Sequence, residues 1–381
     1  MNTFADTILR WYALYGRDLP WRRTRDPYAV WLSEIILQQT RIAQGTAYWE
    51  RFMQRFPTVQ SLADASEDEV LRLWEGLGYY SRARNLHAAA RQIVALGSFP
   101  DTLEGIRSLK GVGDYTAAAI GSICFGLPAA VLDGNVYRVL ARHFGIGTPV
   151  GTPAAKKEFT ALAQKLLPVS SAAASSGSLP RCSGPVSPEE PLPAQNDVAA
   201  YNQGLMDFGA LQCTPQNPDC LTCPLQASCN AFRTGRVALL PVKKAPAAVS
   251  ERHFSYIYVR CDGFTAIRRR GPGDIWQGLY EPLLIELLTH RGTNPPEPLR
   301  RSAPKEPQTS FPSGIGHLTP LRQAVRHQLT HRLLIADFYL WEPSARPELP
   351  EGYIWIPEEA LDTYAKPRLF ELLLSAVASG K

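Results

Sequence analysis

Four cysteines stand within seventeen residues, in the run CTPQNPDCLTCPLQASC from Cys213 to Cys229. The spacing is Cys213-x6-Cys220-x2-Cys223-x5-Cys229. A short loop carrying four thiols must close on something. The chain holds only seven cysteines in 381 residues, too few for a disulfide-built secreted scaffold. Its N-terminus, MNTFADTILR, lacks the basic start and apolar core of a secretion signal. The expected compartment is therefore reducing and intracellular, cytoplasmic if the source is bacterial, where clustered cysteines bind metal more often than they pair. Tetrahedral zinc and a [4Fe–4S] cluster both accept four thiolates. Zinc ribbons usually show two C-x2-C pairs and this run has one; valence alone leaves the choice open.

At roughly 150 residues per domain the length suggests two or three domains. From Thr3 to Leu167 apolar residues recur at helical spacing, as in Trp31, Ile35 and Ile36. Dense proline and glycine punctuation predicts many short helices there. The longest uncharged run, Tyr115–Leu132, approaches membrane-spanning length. It holds Gly121, Gly126 and Pro128 between Asp114 and Asp133, so a small-residue helix in a protein core is expected instead, with no membrane partner.

Residues 169–196 are Ser-, Ala- and Pro-rich and read as a flexible insertion, with Cys182 an exposed thiol inside it. Residues 233–250 read as a linker. Beyond it the period changes: His253–Arg260, Phe264–Ile267 and Leu334–Trp341 predict strands, and 291–314 is a Pro-rich loop. The expected organisation is an all-α domain over 1–232 and an α+β domain over 251–381. Net charge is +5; residues 251–381 hold 16 basic and 15 acidic residues, so most of the excess lies in the helical part. That part is the better candidate for touching phosphate.

Three local patterns carry chemistry. In Leu109-Lys110-Gly111-Val112-Gly113-Asp114-Tyr115 two glycines flank one apolar residue ahead of the small-residue helix. Such a turn permits positive φ and aims backbone N–H groups outward at a helix start, a non-specific phosphate grip. Glu34, in WLSEIILQQT, is either a solvated helix face or a desolvated acid whose raised pKa would suit general acid work. Asp133, in VLDGNVYRV, reads from the residues alone as a helix cap.

Together these strings resemble the helix-hairpin-helix DNA glycosylases that carry a [4Fe–4S] cluster, and within them the adenine DNA glycosylases, the MutY family. Supporting strings are LPWR (19–22), WLSEIILQQT (31–40), GLGYYSRARNL (76–86), GVGDYTA (111–117), VLDGNVYRV (131–139), YNQGLMDFGA (201–210) and WQGLYE (276–281), besides the cysteines. The resemblance covers nearly the whole chain except 169–196 and 291–314. It implies an all-α helix-hairpin-helix glycosylase domain with the hairpin at about 105–125 and an iron–sulfur loop at 213–229, then an α+β Nudix-like domain.

By that resemblance Cys213, Cys220, Cys223 and Cys229 hold the cluster. Glu34 protonates adenine and Asp133 stabilises the sugar cation. Tyr115 and Asn135 order the acid pair and the sugar. Relatives that also cut the strand have a lysine where this chain has Tyr115, so a monofunctional glycosylase is expected. Gly111, Val112 and Gly113 grip the backbone. Gln39 and Tyr79, with Thr40 beside them, probe the base stack, and Arg22 contacts the flipped-base pocket.

The family usually carries F-S-H on a hairpin of the second domain; here Leu329-Thr330-His331 stands in. Thr330 keeps a hydroxyl for a base edge, His331 follows it, and Leu329 lacks the aromatic face. No E-x-x-E-E follows Trp276, so this domain reads as a binding module without pyrophosphatase activity. The implied partner is duplex DNA bearing A opposite 8-oxoguanine or G, engaged by a monomer, nucleoid-associated if the source is bacterial. The nearest rival is a bifunctional pyrimidine-lesion glycosylase. A non-catalytic DNA-scanning protein is the rival from another class.

Overall fold

The computed structural model describes residues 3–168, 197–244, 249–287 and 317–380. The expected insertion at 169–196 with Cys182, and the loop at 291–314, lie outside the described residues. Two compact units are formed, one from Met1–Ala65 and Arg84–Ala245, the other from Ser66–Ala83 and Pro246–Lys381.

Helices build the first unit: α1 (Thr3–Tyr15), α2 (Pro27–Ile36), α3 (Ile42–Arg55) and α4 (Val59–Asp64) precede the excursion into the second unit. That excursion contains α5 (Glu67–Leu73) and the first residues of α6 (Ser81–Leu96). The first unit resumes with α7 (Leu103–Ser108), α8 (Asp114–Phe125), α9 (Gly134–Phe144), α10 (Pro153–Lys165), α11 (Asp197–Leu211) and α12 (Asn230–Arg233).

The boundaries follow from cap chemistry. Asp26 accepts from the Tyr28 and Ala29 amides ahead of Pro27 at the first turn of α2. Gly126 and Gly145 close α8 and α9 in the left-handed conformation. The uncharged run 115–132 is thus not one helix: α8 stops at Phe125 and irregular chain carries Leu127–Leu132 to Asp133. No described helix is long and apolar enough to cross a membrane.

α1, α9 and α11 share one core, in which Ile8, Trp11, Leu140, Tyr201 and Phe208 are buried together. Residues 233–250, expected as a linker, are partly built in: Leu240 is buried and Val150 pairs with Lys243.

Among the described residues the second unit has seven strands: β1 (Ser250–Val259), β2 (Phe264–Arg269), β3 (Tyr280–Glu281), β4 (Leu283–Leu287), β5 (Thr319–Gln328), β6 (Arg332–Trp341) and β7 (Tyr353–Pro357). They form a β4-β1-β6-β5 sheet, with β1 and β6 parallel, and a β3-β2-β7 sheet. A C-terminal helix, α13 (Arg368–Ser379), buries Leu369, Phe370 and Leu373 against Phe254, Phe338 and Ile356. The three strands expected from alternation are β1, β2 and β6. The other four and α13 were not anticipated. β5 has charged Arg322 and Arg326, a mostly exposed pattern and two register shifts, which erase any alternation.

α5 belongs to this unit through polar contacts. Arg269 Nη2 reaches Glu67 Oε1 and Asp68 Oδ1, both at 2.9 Å. The Tyr80 hydroxyl donates to the Lys366 carbonyl at 3.3 Å.

Candidate active site and cysteine loop

A cavity of about 660 Å³ opens in the first unit. That is the size range of small-molecule sites. It is formed by the segment 17–22, α2, the turn after it, the first residue of α3, α8, the start of α9 and one face of α11. Glu34, Tyr115, Asp133 and Asn135 all line it, as do Arg22, Gln39 and Thr40.

Glu34 arrives on a helix whose residues from Tyr28 to Ile36 are all buried, so its carboxyl has left bulk water. Burial drives its pKa from the ordinary 4.5 to about 7. The Tyr115 hydroxyl, donating to Oε2 at 2.9 Å, and the Arg22 charge pull the other way; Asp133 adds to the rise. Tyr115 also touches Met206 Sδ at 3.4 Å, and its own pKa is pushed far up, first by burial and then by Glu34 and Asp133.

Asp133 caps α9, accepting from the Val136 amide at 2.7 Å through Oδ1. The structural reading of this residue and its place in the cavity therefore coexist. Its second oxygen accepts from Asn135 Nδ2 at 2.8 Å. Burial raises its pKa while these two donors oppose the rise. A carboxyl with a proton near neutrality thus faces a second carboxyl held by donors suited to its anion.

Arg22 is fixed from behind. Asp207, fully buried on α11, accepts from Arg22 Nη1 at 2.7 Å and Nη2 at 2.8 Å, and from the Arg17 backbone at 2.9 Å. Arg17 Nη2 donates to the same carboxylate. The two guanidinium groups hold Asp207 below its usual pKa despite burial. Asp207 and Gln203, which accepts from the Tyr12 hydroxyl at 2.6 Å, carried no signal beyond the string that contained them. No periodicity marks an acid that will meet arginines nearly two hundred residues earlier.

Gln39 is exposed with φ +60, an uncommon conformation for a side-chain-bearing residue. The hairpin stands apart from the cavity lining. Gly111 has φ +78, and a Cβ there would lie 2.7 Å from Asn85 Cβ. Gly113, expected to share that conformation, is instead extended, because it serves as the N-cap of α8. Val112 between them is buried.

Tyr79, Thr330 and His331 lie in the second unit. Tyr79 is exposed with φ +47, and its hydroxyl is hydrogen-bonded to Thr330 Oγ1 at the tip of the β5–β6 hairpin. The His331 side chain is exposed, while its carbonyl accepts from the Ser250 amide at 3.2 Å. Tyr79 is thus brought to Thr330, and Gln39 to the acid pair.

The four cysteines of the loop are unpaired and half-buried, and Cys213 and Cys223 lie against the helical core. Burial pushes the Cys223 thiol up to about 11, and Cys213, Cys229 and Cys220 each add to the rise. Cys220 is raised too, first by burial and then by Cys213 and Cys229. Cys220 and Cys223 therefore each stand within electrostatic reach of the other three thiols. Among the described residues no three His, Cys, Asp or Glu side chains close to the spacing of a single-ion site. Four soft donors gathered on one loop fit a group that accepts four thiolates.

Two arginines of α9 tie the loop down. Arg138 Nε donates to the Cys213 carbonyl at 2.7 Å, and its Nη2 donates to Asn135 Oδ1 at 2.8 Å. Arg142 Nη1 donates to the Thr214 carbonyl at 2.7 Å.

Comparison with known proteins follows this division. A family model for HhH-GPD superfamily base excision DNA repair proteins matches residues 32–168, and a NUDIX domain model matches 255–376. The chain is thus a base excision repair type of helix-hairpin-helix unit joined to a Nudix-like unit. The adenine DNA glycosylase of Buchnera aphidicola subsp. Schizaphis graminum is 32% identical over 280 residues, covering 73% of each chain. The human adenine DNA glycosylase is 41% identical over 242 residues, which are 61% of this chain but 40% of the human protein. The chain belongs to the adenine DNA glycosylase family. It matches well under half the length of the human relative and about three quarters of the Buchnera one. Among solved structures, a thermostable thymine-DNA glycosylase superposes with TM-score 0.51 at 28% identity, over 61% of this chain and 96% of that one.

Proposed function

We propose that this chain hydrolyses the N-glycosidic bond of adenine paired with 8-oxoguanine or G in duplex DNA, leaving an abasic site. One observation carries the reading: Glu34, buried and titrating at about 7, shares one cavity with Asp133. The adenine is swung out of the stack into the cavity. The Glu34 carboxyl gives its proton to N7, so the base leaves neutral. The bond from C1′ to N9 breaks with its electrons going to the base, and the cationic sugar faces the Asp133 carboxylate. Asn135 and the Val136 amide favour the ionised form of that carboxylate against the rise that burial brings. Water then adds to C1′ and returns its proton to Glu34.

Among the described residues lining the cavity none is lysine, so no amine there can form a Schiff base. That supports a monofunctional enzyme over the bifunctional rival. Thr330 and Tyr79, together in the second unit, are the groups we assign to the lesion opposite adenine. Gly111–Gly113 would grip the phosphate backbone. The four cysteines would hold a [4Fe–4S] cluster, which when bound supplies a clamp on the loop and a one-electron redox couple.

Duplexes with A opposite 8-oxoguanine, A opposite G, and oxidised thymine opposite A separate the readings. Alkali-labile sites are expected from the two A mismatches only, and no borohydride-trapped covalent adduct. Absence of alkali-labile product from both A mismatches overturns the activity; strand breaks without alkali favour the rival.

A further inference from the structure

Arg142 is 3% exposed, on the face of α9 that meets the cysteine loop. Its Nε donates to the Val237 and Leu240 carbonyls, each at 3.0 Å. Its Nη1 donates to the Thr214 carbonyl at 2.7 Å and to Cys213 Sγ at 3.4 Å, and its Nη2 to the Pro215 carbonyl at 3.1 Å. Its own carbonyl accepts from the Cys229 thiol at 3.6 Å. One side chain therefore holds the entry to the loop and the segment that follows it, and its backbone meets the last cysteine.

The partners are carbonyl dipoles and one thiol. Among the described residues no carboxylate pairs with Arg142. A buried guanidinium without an anion is costly, and a charged partner within reach would relieve it. The groups that become anionic in this place are the cysteines, on ligating a metal centre.

We propose that Arg142 is a positioning residue of the cysteine loop: it preforms the loop in the metal-free chain, and its charge and N–H···S bond to Cys213 set how firmly and at what potential an iron–sulfur cluster is held. This rests on the cofactor reading above. A donor to a cluster sulfur favours the more negative, reduced state and so raises the potential. Lysine in place of Arg142 keeps the charge but loses the planar fork that serves several acceptors at once.

The full chain is purified without oxygen as wild type, Arg142→Lys and Arg233→Gln. Arg233, exposed on α12, controls for charge alone. Iron per chain, the rate at which a chelator bleaches the visible absorbance, and the midpoint potential are measured. Arg142→Lys is expected to lose iron at least tenfold faster and to show a lower potential, with Arg233→Gln matching wild type. Equal rates and potentials in wild type and Arg142→Lys overturn the inference, as does an equal shift in Arg233→Gln. Wild type without iron removes the cofactor reading itself. Should Arg142→Lys not fold, limited proteolysis of metal-free wild type decides: protection of residues 213–240 is expected, and cleavage there refutes preforming.

Discussion

Glu34 links a fold cost to a chemical use. Its carboxyl titrates at about 7 in the folded chain against an ordinary 4.5. The neutral form stabilises the fold fully below the lower value, and that contribution is lost as pH rises toward the upper one. Above it the buried anion costs on the order of 3 kcal/mol, from the size of the shift. Glu34→Gln is therefore expected to raise the melting temperature at about pH 8 and leave it nearly unchanged at about pH 4, while abolishing excision and keeping DNA binding. A melting gain of equal size at both pH values would refute the raised pKa. In the wild type, single-turnover excision is expected to fall with rising pH above about 7 as the acid loses its proton. Asp207 gives a second test. Replacing it with Asn removes one partner of a buried ion pair and leaves Arg17 and Arg22 unneutralised, a loss of about 3–5 kcal/mol. Denaturant titration measures it, and a loss under about 1 kcal/mol would mean the pair is an exposed-type bridge.

At the level of elements, the hairpin joins conformation to binding. Alanine at Gly111 must adopt φ +78 and set its Cβ 2.7 Å from Asn85 Cβ. The first demand alone costs roughly 1–2 kcal/mol. Gly111→Ala is expected to weaken binding to any duplex several-fold, mismatched or matched, as read by fluorescence anisotropy. A loss confined to mismatched duplex would assign the hairpin to base recognition instead. Much of this scale was legible in the sequence. Short glycine turns, cap residues and alternating strands announce themselves within a few residues, which is why α8, α9, β1, β2 and β6 were expected near where they lie. What escaped depends on partners far along the chain. Gly113 is extended because a helix begins there. β5 hides its alternation behind exposed arginines and bulges. Asp207 gains its role only when α11 packs beside residues 17–22. The four cysteines were visible, whereas Arg142, which grips their loop, was one more basic residue in a helical pattern.

The whole molecule is not two consecutive halves. Ser66–Ala83 belongs with strands that begin at Ser250. Gly278, at φ +83, lies so close to α5 that a Cβ there would come 3.2 Å from Glu67 Oε1 and 3.3 Å from Leu71 Cδ1. Desolvation raises the pKa of half-buried Glu75, with Glu371 adding to the rise and Lys366 opposing it. A chain ending at Ala245 is expected to show faster amide exchange across Ser66–Ala83 than the full chain, with α8 and α9 unchanged. Equal protection of Ser66–Ala83 in both would mean that the segment needs no strands to hold it.

This interleaving bears on how the molecule is made and remade. The ribosome delivers Ser66–Ala83 before any strand of its own unit exists, so the segment, whose Leu71 lies beside Gly278, must wait until the chain from Ser250 onward has been made. For the same reason residues 251–381 carry only part of their unit. Grafted onto another helical enzyme, they would arrive without α5 and Tyr79, and the hydroxyl of Thr330 would lose its partner.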